Sequence, residues 1–162
     1  MALFNDNADS RILLEDLNVR KSPLLDYLEA FLSEPDFLFL SFISICEDKT
    51  LRNETWTRKE FLDLSLKCVS LLDHFHESSQ TSSSSFVHFF TGNSYLDLAL
   101  RLAAIFLNLI PVTINWQADT VDRVKYKIEA TGSFLVVVDS GVSEEMIESI
   151  QLSFPSLVCF VF

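Results

Sequence analysis

The sequence predicts an α/β chain built on an open, largely parallel sheet with helices on both faces. Three observations carry this. From Phe86 onward, short apolar runs alternate with longer amphipathic segments in the order strand, helix, strand, helix, strand, helix, strand. The runs FVHFF (86–90), IPVTIN (110–115), FLVVV (134–138) and LVCFVF (157–162) are nearly continuous in apolar residues, the pattern of strands buried on two faces. Each pair of runs is separated by enough chain for a crossover helix, which makes neighbouring strands parallel and the connections right-handed. With 162 residues, 49% hydrophobic and 15 of them Phe, the chain can fill one real core.

Residues 1–21 read as an irregular lead-in. Ser22 as N-cap and Pro23 at the first helical position open SPLLDYLEAFLSEP, whose Leu24, Leu25, Leu28, Phe31 and Leu32 share one face before Pro35 ends the helix. FLFLSFISIC (37–46) is rich in aromatic and β-branched residues and reads as a strand. EDKTLRNE is a polar turn, followed by a brief extended piece at 55–57 with Trp56 as a packing anchor. Thr57 and Glu60, three apart, form a capping box before a helix with the stripe Phe61, Leu64, Cys68, Leu71 and Leu72. HESSQTSSSS (76–85) is a low-complexity serine loop. It has neither the glycine nor the lysine of a phosphate loop and reads as a surface connection.

After the strand at 86–90, TGNS forms a turn with Ser94 as N-cap and Asp97 at N3. Between Asp97 and Pro111 only Arg101 and Asn108 are strongly polar, so the helix 94–108 is expected to be largely buried, crossing between two central strands. An i,i+4 Asp97–Arg101 pair would shield its narrow polar stripe. Pro111 fits only the first residues of a strand or an edge. Asp119 or Thr120 caps the next helix, Val121, Val124 and Ile128 form its buried stripe, and Gly132 stops it. Ser143 caps a last helix with two acids in its first turn, and Pro155 ends it before a further buried strand.

Charge narrows the functions. Acidic residues outnumber basic ones 23 to 12, and the net charge of −11 opposes binding to nucleic acid or an anionic membrane. Three glycines are few for a protein that cradles phosphates. Cys46, Cys68 and Cys159 have neither metal-ligand nor redox spacing and read as free thiols in a reducing compartment. The N-terminus lacks the basic start and apolar core of a secretory signal, so a cytoplasmic protein is expected and the Asn53-Glu54-Thr55 sequon is a chance match. The stretch 98–114 is broken by Arg101, Asn108 and Pro111 and falls short of the about 20 apolar residues of a membrane span.

Few residues invite a chemical role. His74 and His76 do not share a helix face and read as a solvated helix end. His88 sits inside an apolar strand with no Ser or Cys nucleophile motif, the setting of a packed histidine. Asn93, Ser94, Asn115 and Trp116 lie just past strand ends, where open parallel sheets bind ligands, and are the substrate-pocket candidates. Capping and turn formation explain Asn93 and Ser94 equally well. Asp139 also follows a strand, with loop or helix capping as its plain role. No catalytic or metal-binding residue is assigned.

The motif order resembles that of the adenylate-forming enzymes, the superfamily of acyl-CoA synthetases, peptide-synthetase adenylation domains and luciferases. ETWTRKEF, with Thr55, Trp56, Glu60 and Phe61, is similar to a loose version of their first core motif. FVHFFTGNSYLDLALRLAAIFLNLIPVTIN is similar to the next stretch, with Asn93, Ser94, Pro111 and Asn115 at matching places. DTVDRVKYKIEATGSFLVVVD is similar to the segment in which a helix precedes a strand ending in Asp. The likeness covers about residues 55–139. Thr91-Gly92 and Asn108-Leu109 depart from it, the latter replacing an Ala-Gly, so that turn is expected to be rebuilt.

The resemblance implies the N-terminal subdomain of the adenylate-forming fold, with residues 1–162 as a partial AMP-binding domain. It implies ATP, Mg and CoA for the full-length family, with none bound by this chain alone. The family's phosphate loop, ribose-binding Asp and catalytic Lys have no counterpart in the chain. Three functions follow: an N-terminal fragment of an ATP-dependent acid–thiol ligase, inactive by itself; a non-catalytic module that binds a protein partner or itself; and a flavodoxin-like binder using Thr91–Ser94.

Overall fold

The computed structural model describes residues 23–46, 48–79, 81–92 and 94–162. The lead-in 1–21, the N-cap role of Ser22 and the side chain of Asn93 fall outside these. The described residues form two compact units that meet in the chain between Cys68 and Val69.

In the first unit, α1 (Pro23–Ser33) is followed by an antiparallel hairpin of β1 (Leu38–Ile45) and β2 (Leu51–Thr57). The expected turn EDKTLRNE is therefore too long, because residues 51–54 are strand. Backbone pairing from Ser44↔Arg52 to Phe42↔Glu54 outweighs their polar side chains, and an Arg52–Glu54 ion pair at 2.9 Å covers part of the ladder. The turn closes with Lys49 at φ 64° and with Asp48 Oδ1 accepting from the Thr50 N–H at 2.9 Å. The capping box forms as expected. The Thr57 N–H donates to Glu60 Oε2 at 2.8 Å, and the Glu60 N–H donates to Thr57 Oγ1 at 3.2 Å. It starts α2 (Arg58–Ser78), which runs into the second unit. The serine loop is consequently shorter than 76–85, since the helix continues through Ser78 and the next strand already starts at Ser85.

The second unit holds a four-stranded sheet of β3 (Ser85–Phe89), β4 (Ile110–Thr113), β5 (Leu135–Val138) and β6 (Val158–Val161). The strand order is β4-β3-β5-β6, and all three pairings are parallel. The crossovers are α3 (Tyr95–Phe106), α4 (Val121–Thr131) and α5 (Glu144–Ser153). Every residue of β3 and β5 is buried, as continuous apolar runs require. On one face Val87, Phe89, Val136 and Val138 pack with Val124 and Ile128 of α4 and Ile150 of α5. Ser94, Thr120 and Ser143 cap the three helices, and Gly132 ends α4 at φ 60°.

Two expectations are corrected. β4 and β6 are the edges of the sheet, each with exposed end residues, so α3 joins a central strand to an edge strand and LVCFVF is half-exposed. Pro111 is tolerated in β4 for that reason. α3 is buried on one face only: Ala99, Leu100, Ala103, Ala104 and Phe106 are buried, whereas Leu98 and Ile105 are 46% and 58% exposed. Composition registers apolarity all round the helix, but one sheet can cover only one side of it. The rebuilt turn after α3 uses Asn108 at φ 54°, a conformation Asn tolerates better than other side chains, in place of glycine.

Candidate functional site

In an open parallel sheet the ligand position lies beyond the carboxyl ends of the strands, where the strand order reverses. Here that point is between β3 and β5, since β3 leads on to β4 at one side and β5 to β6 at the other. The chain itself fills it. Asp139 Oδ2 accepts the Thr91 N–H at 2.8 Å, and both carboxylate oxygens lie 3.0 Å from the Thr91 hydroxyl, which donates. Asp139 Oδ1 also accepts the Gly141 N–H at 3.0 Å. A methyl group on Gly141 would stand 2.2 Å from Thr91 Oγ1, so only glycine fits beside the clamp. A carboxylate thus takes up the N–H groups that an anion-binding turn would offer to a phosphate.

On the α3 side of the sheet, four polar side chains close a ring. His88 Nδ1 lies 2.7 Å from Asp97 Oδ1. Arg101 donates from Nε to Asp97 Oδ2 at 3.0 Å and from its terminal nitrogen to Thr113 Oγ1 at 3.1 Å. Thr113 Oγ1 is also 3.1 Å from His88 Nε2. Carboxylates only accept and guanidinium groups only donate, so His88 Nδ1–H donates to Asp97 and the Thr113 oxygen accepts from Arg101. Between Thr113 Oγ1 and His88 Nε2 the donor is the hydroxyl when the imidazole is neutral and the ring when it is doubly protonated. Burial works against the Asp97 carboxylate, but His88 and Arg101 together hold its pKa below the usual value. The His88 side chain is only 1% exposed, and the ring satisfies both of its nitrogens.

Beyond β4 the chain turns through Asn115. Its Oδ1 accepts the Gln117 N–H at 3.1 Å, and its own N–H donates to Asp119 Oδ2 at 2.8 Å. Asp119 also takes Lys127 Nζ at 2.5 Å and Arg123 Nε at 2.9 Å. The Lys127 hydrogen bond is the main cause of its lowered pKa. Asp119 is thus a loop brace, and Thr120 is the cap of α4.

Of the sequence-derived candidates, Ser94 and Asn115 stand at the carboxyl ends of adjacent strands, with Trp116 beside Asn115 and 47% exposed. Ser94 Oγ accepts the Leu96 N–H at 3.1 Å, and Asn115 spends its side chain on its own turn. Both have structural employment. His76, expected to be solvated, is instead half-buried at the end of α2: it packs against Phe134 and lies 3.1 Å from the Ser83 carbonyl. No group of three or more metal-binding side chains occurs among the described residues, and none of the described helices is long and apolar enough to cross a membrane. Sequence reasoning missed Gly141 and Thr113, and it named Thr91 only as part of a ligand-binding turn, not as a partner of Asp139. A strand-end Asp with Gly two residues on is a usable turn signal, but its meeting with Thr91 depends on β3 and β5 being neighbours.

No family model matches this chain, and no curated protein matches it. Solved structures do. The A domain of carboxylic acid reductase from Segniliparus rugosus, in complex with AMP and a co-purified carboxylic acid, superposes on 94% of this chain with TM-score 0.60 and 22% identity. A fatty acyl CoA synthetase from Mycobacterium tuberculosis superposes on 90% with TM-score 0.66 and 15% identity. The o-succinylbenzoate CoA synthetase from Bacillus subtilis, in complex with its acyl-adenylate intermediate, superposes on 83% with TM-score 0.59 and 17% identity. The chain spans 26%, 27% and 30% of those three chains. At these identities the likeness establishes the fold, which is that of the N-terminal subdomain of adenylate-forming enzymes.

Proposed function

We propose that this chain is the N-terminal sheet module of an ATP-dependent acid–thiol ligase of the acyl-CoA synthetase type, and that it does not adenylate a carboxylate by itself. The observation that carries this reading is the shared fold, along nearly the whole chain, with enzymes captured with AMP or an acyl-adenylate. Adenylation needs the ATP phosphates and Mg held while a carboxylate attacks the α-phosphate. At the reversal point of this sheet the Thr91 and Gly141 N–H groups are already spent on Asp139, whose charge would repel a phosphate. The same geometry speaks against a flavodoxin-like binder. In this reading ATP, Mg and CoA act on the rest of such a ligase, the acid is taken elsewhere, and Ser94, Asn115 and Trp116 line at most the margin of its pocket. Carboxylate-dependent pyrophosphate exchange tests the proposal: the isolated chain should show none, and exchange above background would overturn it.

A second reading, a non-catalytic module that binds a protein partner or itself, is favoured by one observation. Leu98 and Ile105 of α3, Ile110 of β4, and Val158, Val161 and Phe162 at the β6 edge are all at least 40% exposed. Exposed apolar surface and an unpaired strand edge both favour association. Light scattering with size-exclusion chromatography, supported by a hydrophobic dye, checks it. A dye-silent monomer would remove the second reading.

A further inference from the structure

We propose that Asp97, His88 and Thr113 form an orienter–base–nucleophile relay that takes an acyl group from small activated carboxylic esters. A nucleophilic hydroxyl is recognised by geometry: it lies within hydrogen-bond reach of a base that a third group orients. All three elements are present. The Thr113 hydroxyl is 3.1 Å from His88 Nε2, and His88 Nδ1 is 2.7 Å from the Asp97 carboxylate. In the neutral tautomer whose Nδ1–H donates to Asp97, His88 Nε2 accepts the Thr113 hydroxyl proton while Arg101 donates to the same oxygen. The fold holds the relay rigidly: His88 and Thr113 are paired residues of adjacent strands, and Asp97 comes from the first turn of α3.

Accessibility distinguishes this arrangement from a simple packing clamp. The base is 1% exposed, whereas Thr113 is an exposed residue on an edge strand. Arg101, whose side chain is 42% exposed, stands beside the hydroxyl. A guanidinium there can stabilise the oxyanion of a tetrahedral intermediate.

The step balances without a cofactor. Thr113 Oγ1 bonds to the ester carbonyl carbon while its proton passes to His88 Nε2. The tetrahedral intermediate collapses, the ester C–O bond breaks, and the leaving alcohol takes up the proton. Water, deprotonated by His88, then attacks the acyl-threonine ester, releases the acid and restores the hydroxyl. Small acyl groups suit a hydroxyl on an open edge, and a good leaving group suits a threonine nucleophile.

The full chain is mixed with p-nitrophenyl acetate, p-nitrophenolate release is followed, and acid-quenched samples are mapped by peptide mass spectrometry. The proposal expects an acetyl group on Thr113 and release that drops about a hundredfold in Thr113→Val, within the usual range for loss of an activated group. Thr113→Ser should restore release and carry the acetyl group at the same position. Far-UV spectra of both variants establish that the fold is kept. Equal release by wild type and Thr113→Val, or acetylation confined to lysines and cysteines, overturns the relay and leaves the ring as a clamp between α3 and the sheet.

Discussion

Gly141→Ala tests the clamp at the reversal point most sharply. The new Cβ would stand 2.2 Å from Thr91 Oγ1, 3.1 Å from Thr91 Cβ and 3.3 Å from Asp139 Oδ1. The Thr91 hydroxyl must then swing away and give up its bonds to Asp139, or the loop must move and release the Gly141 N–H. Losing one hydrogen bond to a charged group costs about 1.5–3 kcal/mol, and overpacking costs about 1–3 kcal/mol. The two routes are alternatives, so the expected loss is about 2–3 kcal/mol, corresponding to a midpoint lower by roughly 4–12 °C for a chain of this size. Thermal and urea unfolding followed by far-UV circular dichroism measure it. The control is the double mutant with Thr91→Ala. That change removes the nearest atom, so Gly141→Ala should cost at least about 1 kcal/mol less in this background. If Gly141→Ala is neutral, or costs the same with and without the Thr91 hydroxyl, the clamp does not exist as described.

Other perturbations separate the remaining interactions. Leu100→Ala on the buried face of α3 should cost about 2–5 kcal/mol, and Ile105→Ala on its exposed face under about 0.5 kcal/mol, both read from urea midpoints; equal costs would mean that the helix is buried all round. Burial pushes the Cys68 thiol up to about 12, so alkylation of the native chain at neutral pH should spare Cys68 and label it only after unfolding. Asp119 and Asp97 have folded pKa values below those of the unfolded chain, so the stability they contribute is complete above the ordinary carboxylate pKa of about 4 and is lost as pH falls below it. Replacing Asp119 by Asn should flatten the acid limb of the stability curve, and an unchanged limb would show that the Lys127 brace is not formed.

The nearly continuous apolar runs of β3 and β5 made the parallel sheet legible, because a strand buried on both faces is apolar at most positions; Ser85 and His88 are the buried polar exceptions. The caps at Thr57, Ser94 and Ser143 were legible for a local reason, since a side chain and its partner two or three residues on suffice. The positions of β4 and β6 at the edges were not, because strand order is decided by which elements meet across the sheet. The start of β2 was hidden for a similar reason: Leu51–Glu54 becomes strand by pairing with β1, whatever its own propensities. At the site, Asn115 was visible as a residue past a strand end, but its employment in a turn with Asp119 depends on side-chain geometry. His88 read as a packed histidine, and it is buried as expected. The partners that orient it come from a helix and a neighbouring strand further along the chain.

As proposed, the chain carries the sheet fold of an adenylate-forming ligase and binds no nucleotide by itself. Isothermal titration of MgATP into the full chain tests it most directly. Only heats of dilution are expected at micromolar to sub-millimolar nucleotide, because the N–H groups at the reversal point are held by Asp139. A saturable, micromolar isotherm with a defined stoichiometry would contradict it.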